Sequence, residues 1–170
     1  TCAILDNQDI TCWGANSQGQ LGTGNTSLIG DSPDEIGDGL PIIAASHSSA
    51  TAAPTNLALG WDHTCVLFDD GTVTCWGSNA HGQLGIGSTT TIGDQPAEMG
   101  DSLVQVALPS GRTATQITAG DGFTCALLDN SEVACWGKND KGQMGIGTTS
   151  NQGDSAGEMG DSLTTVDLSY

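Results

Sequence analysis

Short apolar runs separated by polar, glycine-bearing breaks dominate the chain. CVLF at residues 65–68 and TVTCW at 72–76 flank a polar break at 69–71, and both runs are rich in β-branched and aromatic side chains. Such side chains pack well on a pleated surface, so the two runs predict strands and the break predicts a hairpin. CAIL with ITCW, and CALL with VACW, repeat the arrangement at residues 2–13 and 125–136. Pairing Cys65 with Cys75 leaves Asp69, Asp70 and Gly71 as a three-residue loop, in which Gly71 can take the left-handed conformation required there. Gln8 and Ser131 stand in its place in the other two hairpins, which leaves their turn type open.

A glycine-punctuated stretch follows each hairpin, GSNAHGQLGIG in the second, then an acidic loop and a last apolar run such as LVQVAL at 103–108. These predict a second hairpin. The segments LALGWDHT before Cys65 and QITAGDGFT before Cys125 can each supply an inner strand. Four strands per unit is the make-up of a propeller blade. A helical solenoid would need apolar faces sustained over about ten residues, and none is present.

Aligned on itself, the chain yields three gap-free 44-residue blocks starting at Cys2, Cys65 and Cys125, with steps of 63 and 60 residues. The second and third share 24 of 44 positions, which establishes a repeat architecture. The organisation expected is repeat 1 at 1–45, a linker with an inner strand at 46–64, repeat 2 at 65–108, a second such linker at 109–124, and repeat 3 at 125–170.

The six cysteines fall in three pairs of equal spacing, Cys2 with Cys12, Cys65 with Cys75 and Cys125 with Cys135. The hairpin register sets each pair face to face at roughly 4.5–5.5 Å between Cα atoms, within the reach of a disulfide. Three intra-hairpin bridges imply an oxidising compartment, and closing each loop stabilises by roughly 2–4 kcal/mol in the chain-entropy account. Buried free thiols are the competing reading. A zinc site is disfavoured because no CxxC pattern accompanies them.

The hairpin C-x-L-x-D-x-G-x-V-x-CWG, followed by N-x-x-G-Q-L-G-x-G as in CWGSNAHGQLGIG, resembles the regulator-of-chromosome-condensation repeat over nearly the whole chain. The resemblance implies an all-β fold of four-stranded antiparallel blades, about three of them here, from a seven-bladed propeller. Three blades cannot close a ring, so the chain is expected to be part of something larger, with cut sheet edges at both ends. The family's founding member is a nuclear exchange factor that binds chromatin, and secreted members include inhibitors of β-lactamases. Protein binding on blade loops is what the resemblance implies across the family.

Charge narrows the partners. A net charge of −17 with only Arg112, Lys138 and Lys141 basic cannot neutralise a phosphate backbone, so nucleic acid and anionic lipid are both disfavoured. No run is long and apolar enough to cross a bilayer. Thr1 leads directly into a strand-like run, so the gene product is expected to start further upstream, with any targeting signal.

Trp13, Trp76 and Trp136 follow the second cysteine of each block and point to the opposite face of the strand, which predicts packing between neighbouring blades. Trp61 has no such counterpart, since Asp121 holds its place in the other linker, and it is a candidate exposed binding residue. The acidic loops repeat Asp, Glu four later and Asp three later: Asp31, Glu35 and Asp38; Asp94, Glu98 and Asp101; Asp154, Glu158 and Asp161. That spacing lines carboxylates along one side of a helical turn and makes them candidate Ca²⁺ ligands. The plainer reading is a short capped turn, with Ser32 and Ser155 three residues before Glu35 and Glu158 and Pro33 at the first helical position. Asn25 with Thr26 and Ser27 is an N-glycosylation triplet, and the Ser/Thr-rich linker could carry O-linked sugar. His47, His63 and His81 have no nucleophile or partner at a catalytic spacing, so no enzyme and no obligatory cofactor is expected.

The residues therefore read as an extracellular propeller-repeat scaffold for protein–protein contact or self-association, as in a surface filament or wall component. The alternative is a soluble secreted propeller that binds or inhibits a protein. Behind both stands an exchange factor for a small GTPase.

Overall fold

The computed structural model describes residues 1–45 and 51–168. It is all-β, with three antiparallel sheets arranged in chain order. The first pairs β1 (Cys2–Ile4) with β2 (Ile10–Cys12). The second runs β3 (Pro54–Leu59), β4 (His63–Phe68) and β5 (Val73–Gly77), and the third β6 (Ala114–Ala119), β7 (Phe123–Leu128) and β8 (Val133–Gly137). β3 and β6 are the strands expected in the inter-block segments. Each precedes a tight turn into the hairpin that carries the cysteines.

The hairpin register is the one the cysteine spacing implies. Cys2 lies opposite Cys12, Cys65 opposite Cys75 and Cys125 opposite Cys135. All six sulfurs are bridged within their hairpins, at Cα separations of 4.1, 4.1 and 4.0 Å. The three turns are alike despite their different third residues. Gln8, Gly71 and Ser131 have φ of 71°, 79° and 70°, and each donates its N–H to Leu5, Phe68 or Leu128. Asn7, Asp70 and Asn130 stabilise the conformation by accepting from the N–H two residues on, an Asx turn that a glycine is not needed for.

The expected fourth strand is reduced to single bridges, Thr74 with Gln105 and Gly77 with Ile92 in the second unit, and their counterparts in the others. Val106 donates to the Val73 carbonyl, and Leu108 then turns its N–H to Val106 two residues back, which ends the ladder. Three regular strands per full unit are what the backbone sustains.

Alternation along β4 builds two cores. Val66 and Phe68 join Ile10, Leu21, Ile43 and Trp76 between the first and second sheets. Cys65 and Leu67 face the other way, joining Ala126, Leu128 and Trp136 between the second and third. Trp76 and Trp136 are fully buried in these junctions, as their strand position predicts, and Trp13 on the outer side of the first sheet is half-buried.

Candidate functional site

The glycine-rich turn of one unit is seated in the next by a repeated clasp. The backbone carbonyl of Gln20 accepts from Thr64 Oγ1 at 2.8 Å and from the Trp76 indole at 3.1 Å. Gln83 does the same for Thr124 at 2.9 Å and Trp136 at 3.0 Å. Buried Asn16, Asn79 and Asn139 shape each turn: the Oδ1 atoms accept from Leu21, Leu84 and Met144. These account for the N-x-x-G-Q-L-G pattern. Gly19 and Gly82 allow the close approach, since a Cβ at either would collide with the backbone N of Asp94 or Asp154 in the next unit.

The turn 60–62 joins β3 to β4. Gly60 donates to the His63 carbonyl at 2.9 Å and Ser78 donates to the Asp62 carbonyl at 2.8 Å, so the turn is pinned at both sides. Gly60 packs flush against the His63 ring. Trp61 at the tip is 79% exposed, the most exposed large apolar side chain among the described residues, as its lack of a counterpart suggests. Beside it, Asp62 takes a bond from the Gln20 amide at 3.4 Å. Gln20, Leu59, Gly60, Trp61 and Thr64 line a cleft of about 120 Å³ on the side of the first sheet.

Beneath this turn His63 is buried, a position that spacing alone does not mark as special. Thr124 Oγ1 donates to the Gln83 carbonyl, so at 2.9 Å it accepts from His63 Nε2–H. Nδ1 is then a bare acceptor with no hydrogen-bond partner among the described residues. Burial disfavours the imidazolium and pushes the pKa down to about 4.

The acidic loops do not assemble the expected cation site. Glu35 turns back to accept from Gly30 N–H at 2.8 Å, Glu98 accepts from Gly93 and Gln95, and Glu158 from Gly153 and Ser155. Asp161 is held by Ser110 through its N–H at 2.7 Å and hydroxyl at 2.9 Å. Those bonds lower the Glu35 and Asp161 pKa values, the Gly30 N–H leading for the first and the Ser110 N–H for the second. The Asp–Glu part and the second Asp sit on separate short turns, because Gly37, Gly100 and Gly160 take left-handed φ and break any continuous helix. Asp31, Glu35 and Asp38, with Asp94, Glu98 and Asp101 and with Asp154, Glu158 and Asp161, therefore form no group of three or more metal-ligating side chains among the described residues. Half of a capping box survives, the glutamate bond to the Ser155 N–H. Ser32 makes no side-chain cap, and the Ser155 hydroxyl donates to Asp154 Oδ1 at 3.1 Å.

Asn25 is exposed, and its side chain accepts from Ser27 N–H at 2.8 Å and donates to the Thr23 carbonyl at 3.3 Å. His81 sits in the glycine-rich turn, its N–H bonded to Gln83 Oε1. His47 and the first part of the Ser/Thr-rich linker lie outside the described residues. No helix among the described residues is long and apolar enough to cross a membrane.

Profiles of the regulator of chromosome condensation (RCC1) repeat match residues 55–83 and 114–143, and a second such profile matches 70–127. The ultraviolet-B receptor UVR8 of Arabidopsis thaliana is 38% identical over 52% of this chain and 18% of its own length. Mouse protein RCC2 is 31% identical over 78% of this chain and 22% of its own, and the human probable E3 ubiquitin-protein ligase HERC6 is 29% identical over 85% and 12%. Among solved structures, human WBSCR16 superposes with a TM-score of 0.66 at 18% identity, over 99% of this chain and 37% of that one. Yeast RCC1 (Prp20) bound to Kap60 gives 0.58 at 22%, over 95% and 34%. At such identities the likeness speaks to the fold. The chain spans less than a quarter of the length of these curated relatives.

Proposed function

This chain belongs to the regulator of chromosome condensation (RCC1) repeat family, and on that premise we propose that it is a protein-binding stretch of an extracellular repeat scaffold, in which propeller units associate with one another or with a protein partner. One observation carries the reading. Each glycine-rich turn is clasped by the unit that follows it, the Gln20 carbonyl accepting from Thr64 and Trp76 and the Gln83 carbonyl from Thr124 and Trp136. Units of this kind bury their faces against one another.

Three hairpin disulfides and the absence of free thiols favour an oxidising compartment, where the bridges resist unfolding and proteolysis. The strong negative charge favours basic or neutral protein surfaces over nucleic acid. A surface filament or wall component fits units that stack head to tail. Glycosylation at Asn25 belongs to the same reading.

The second reading is a soluble secreted propeller that binds or inhibits a protein, favoured by the exposed Trp61 on a pinned turn. An exchange factor ranks behind both, since it would work in a reducing compartment. Thiol counting and light scattering on the full-length protein from its native source test the leading reading. A bridged protein forming assemblies is expected; free thiols in a monomer without protein partners would overturn it, and accelerated nucleotide release from a small GTPase would favour the exchange factor.

A further inference from the structure

The two turns that close the inner hairpins of the second and third sheets are built alike and finished differently. In the third, Lys138 donates its N–H to the Gly122 carbonyl and its stem covers Gly122. Its ammonium bonds Asp121 at 3.3 Å, so that turn carries its own cation. In the second, Ser78 makes the matching backbone bond to Asp62, and its short side chain is turned to Gln83 at 3.3 Å. Aspartate 62 is left with the neutral Gln20 amide. The other basic side chains, Arg112 and Lys141, are engaged with Asp129 and Asp140. The second turn thus carries its carboxylate one position later, lacks the lysine of its counterpart, and has an exposed indole where the third has Asp121.

We propose that Trp61 and Asp62 form a seat for one basic side chain, arginine or lysine, of a protein partner, the indole face receiving the cation while the Asp62 carboxylate takes its hydrogen bonds. A cation over an indole is attracted by the ring quadrupole, and a planar guanidinium can stack there while bonding a carboxylate. The cleft of about 120 Å³ between Trp61, Leu59 and Gln20 gives the apolar stem a wall to lie against. The turn is already rigid: Gly60 is held to His63 and Asp62 to Ser78, so little ordering is required on binding. A net charge of −17 draws a basic partner toward this surface. The inference rests on the protein-binding reading and names the chemistry of the residue recognised.

The test is titration of the full-length protein with the tripeptide acetyl-Gly-Arg-Gly-amide, followed by the backbone N–H signals of Gly60 and Asp62 in NMR. The citrulline peptide, which has the same shape without charge, is the control. Saturable shifts with arginine, at least tenfold weaker with citrulline, lost in Trp61→Ala and reduced at least fivefold in Asp62→Asn, are expected. Asp121→Asn should change nothing. Equal binding of both peptides, persistence in Trp61→Ala, or a Trp61 indole already shielded from solvent in the full-length protein would overturn the seat. Because the probe is a small peptide, a failed titration leaves an observed protein assembly standing, and a successful one survives the absence of assemblies.

Discussion

The indole of Trp136 donates to the backbone carbonyl of Gln83 across the junction between the second and third sheets, at 3.0 Å, with the ring fully buried. The bond joins the end of one hairpin to the glycine-rich turn of the unit before it, and Trp76 repeats it with Gln20. Because Thr124 shares the same carbonyl, removing the indole N–H leaves that oxygen still bonded. Trp136→Phe is therefore expected to cost about 1–2 kcal/mol, and Trp136→Ala about 3–5 kcal/mol through the cavity it opens. Denaturant unfolding followed by circular dichroism measures both, and equal costs would show that the ring contributes only its hydrogen bond.

Left-handed residues other than glycine hold the first and third hairpin turns. A left-handed L-residue costs roughly 1 kcal/mol, partly offset here by the Asx bonds from Asn7 and Asn130. Gln8→Gly and Ser131→Gly should raise stability by a few tenths up to about 1 kcal/mol. Gly71→Ala should lower it by more, since a Cβ there would run into Thr113 as well as taking the strained φ. Melting temperatures of the three variants decide this.

The acid response should centre on His63. Its folded pKa, about 4, lies below its usual 6.5, so between these values the unfolded chain binds the proton that the folded one refuses. Stability from this group is complete above pH 6.5 and falls as pH drops toward 4, by on the order of 3 kcal/mol. Phe123 fills the matching position under Gly120, which shows that an apolar ring fits such a pocket. His63→Phe should accordingly flatten the stability profile between pH 6.5 and 4; an unchanged slope would assign the acid response to the carboxylates instead.

Glycines that share a left-handed backbone differ in what surrounds them. Gly82→Ala should cost several kcal/mol, because the new Cβ meets the Asp154 backbone, whereas Gly111→Ala should cost only the left-handed penalty of about 1 kcal/mol. Denaturant unfolding of the two variants measures the difference, and equal costs would show that the Asp154 backbone yields to the added Cβ.

Features set by near neighbours in the chain were legible from residue types and spacing. The Cys65–Cys75 register and the opposite facing of Trp76 follow from strand alternation and a three-residue turn. Even the left-handed turns at Gln8 and Ser131 were within reach, because Asn7 and Asn130 supply the Asx bond locally. The acidic loops misled because Asp–Glu–Asp spacing presumes an unbroken helical turn, and Gly37, Gly100 and Gly160 divide it.

Sequence alone settled that the chain is a β repeat with each hairpin closed on its own sulfurs, since those contacts span only ten residues and their geometry is that of a strand pair. Tertiary structure decided which atoms meet across units: His63 with Thr124, 61 residues apart, and Trp76 with Gln20, 56 apart. It also decided that Asp121 has a lysine of its own while Asp62 does not. Such pairings depend on how one sheet lies on the next, and side-chain alternation within a strand does not determine that.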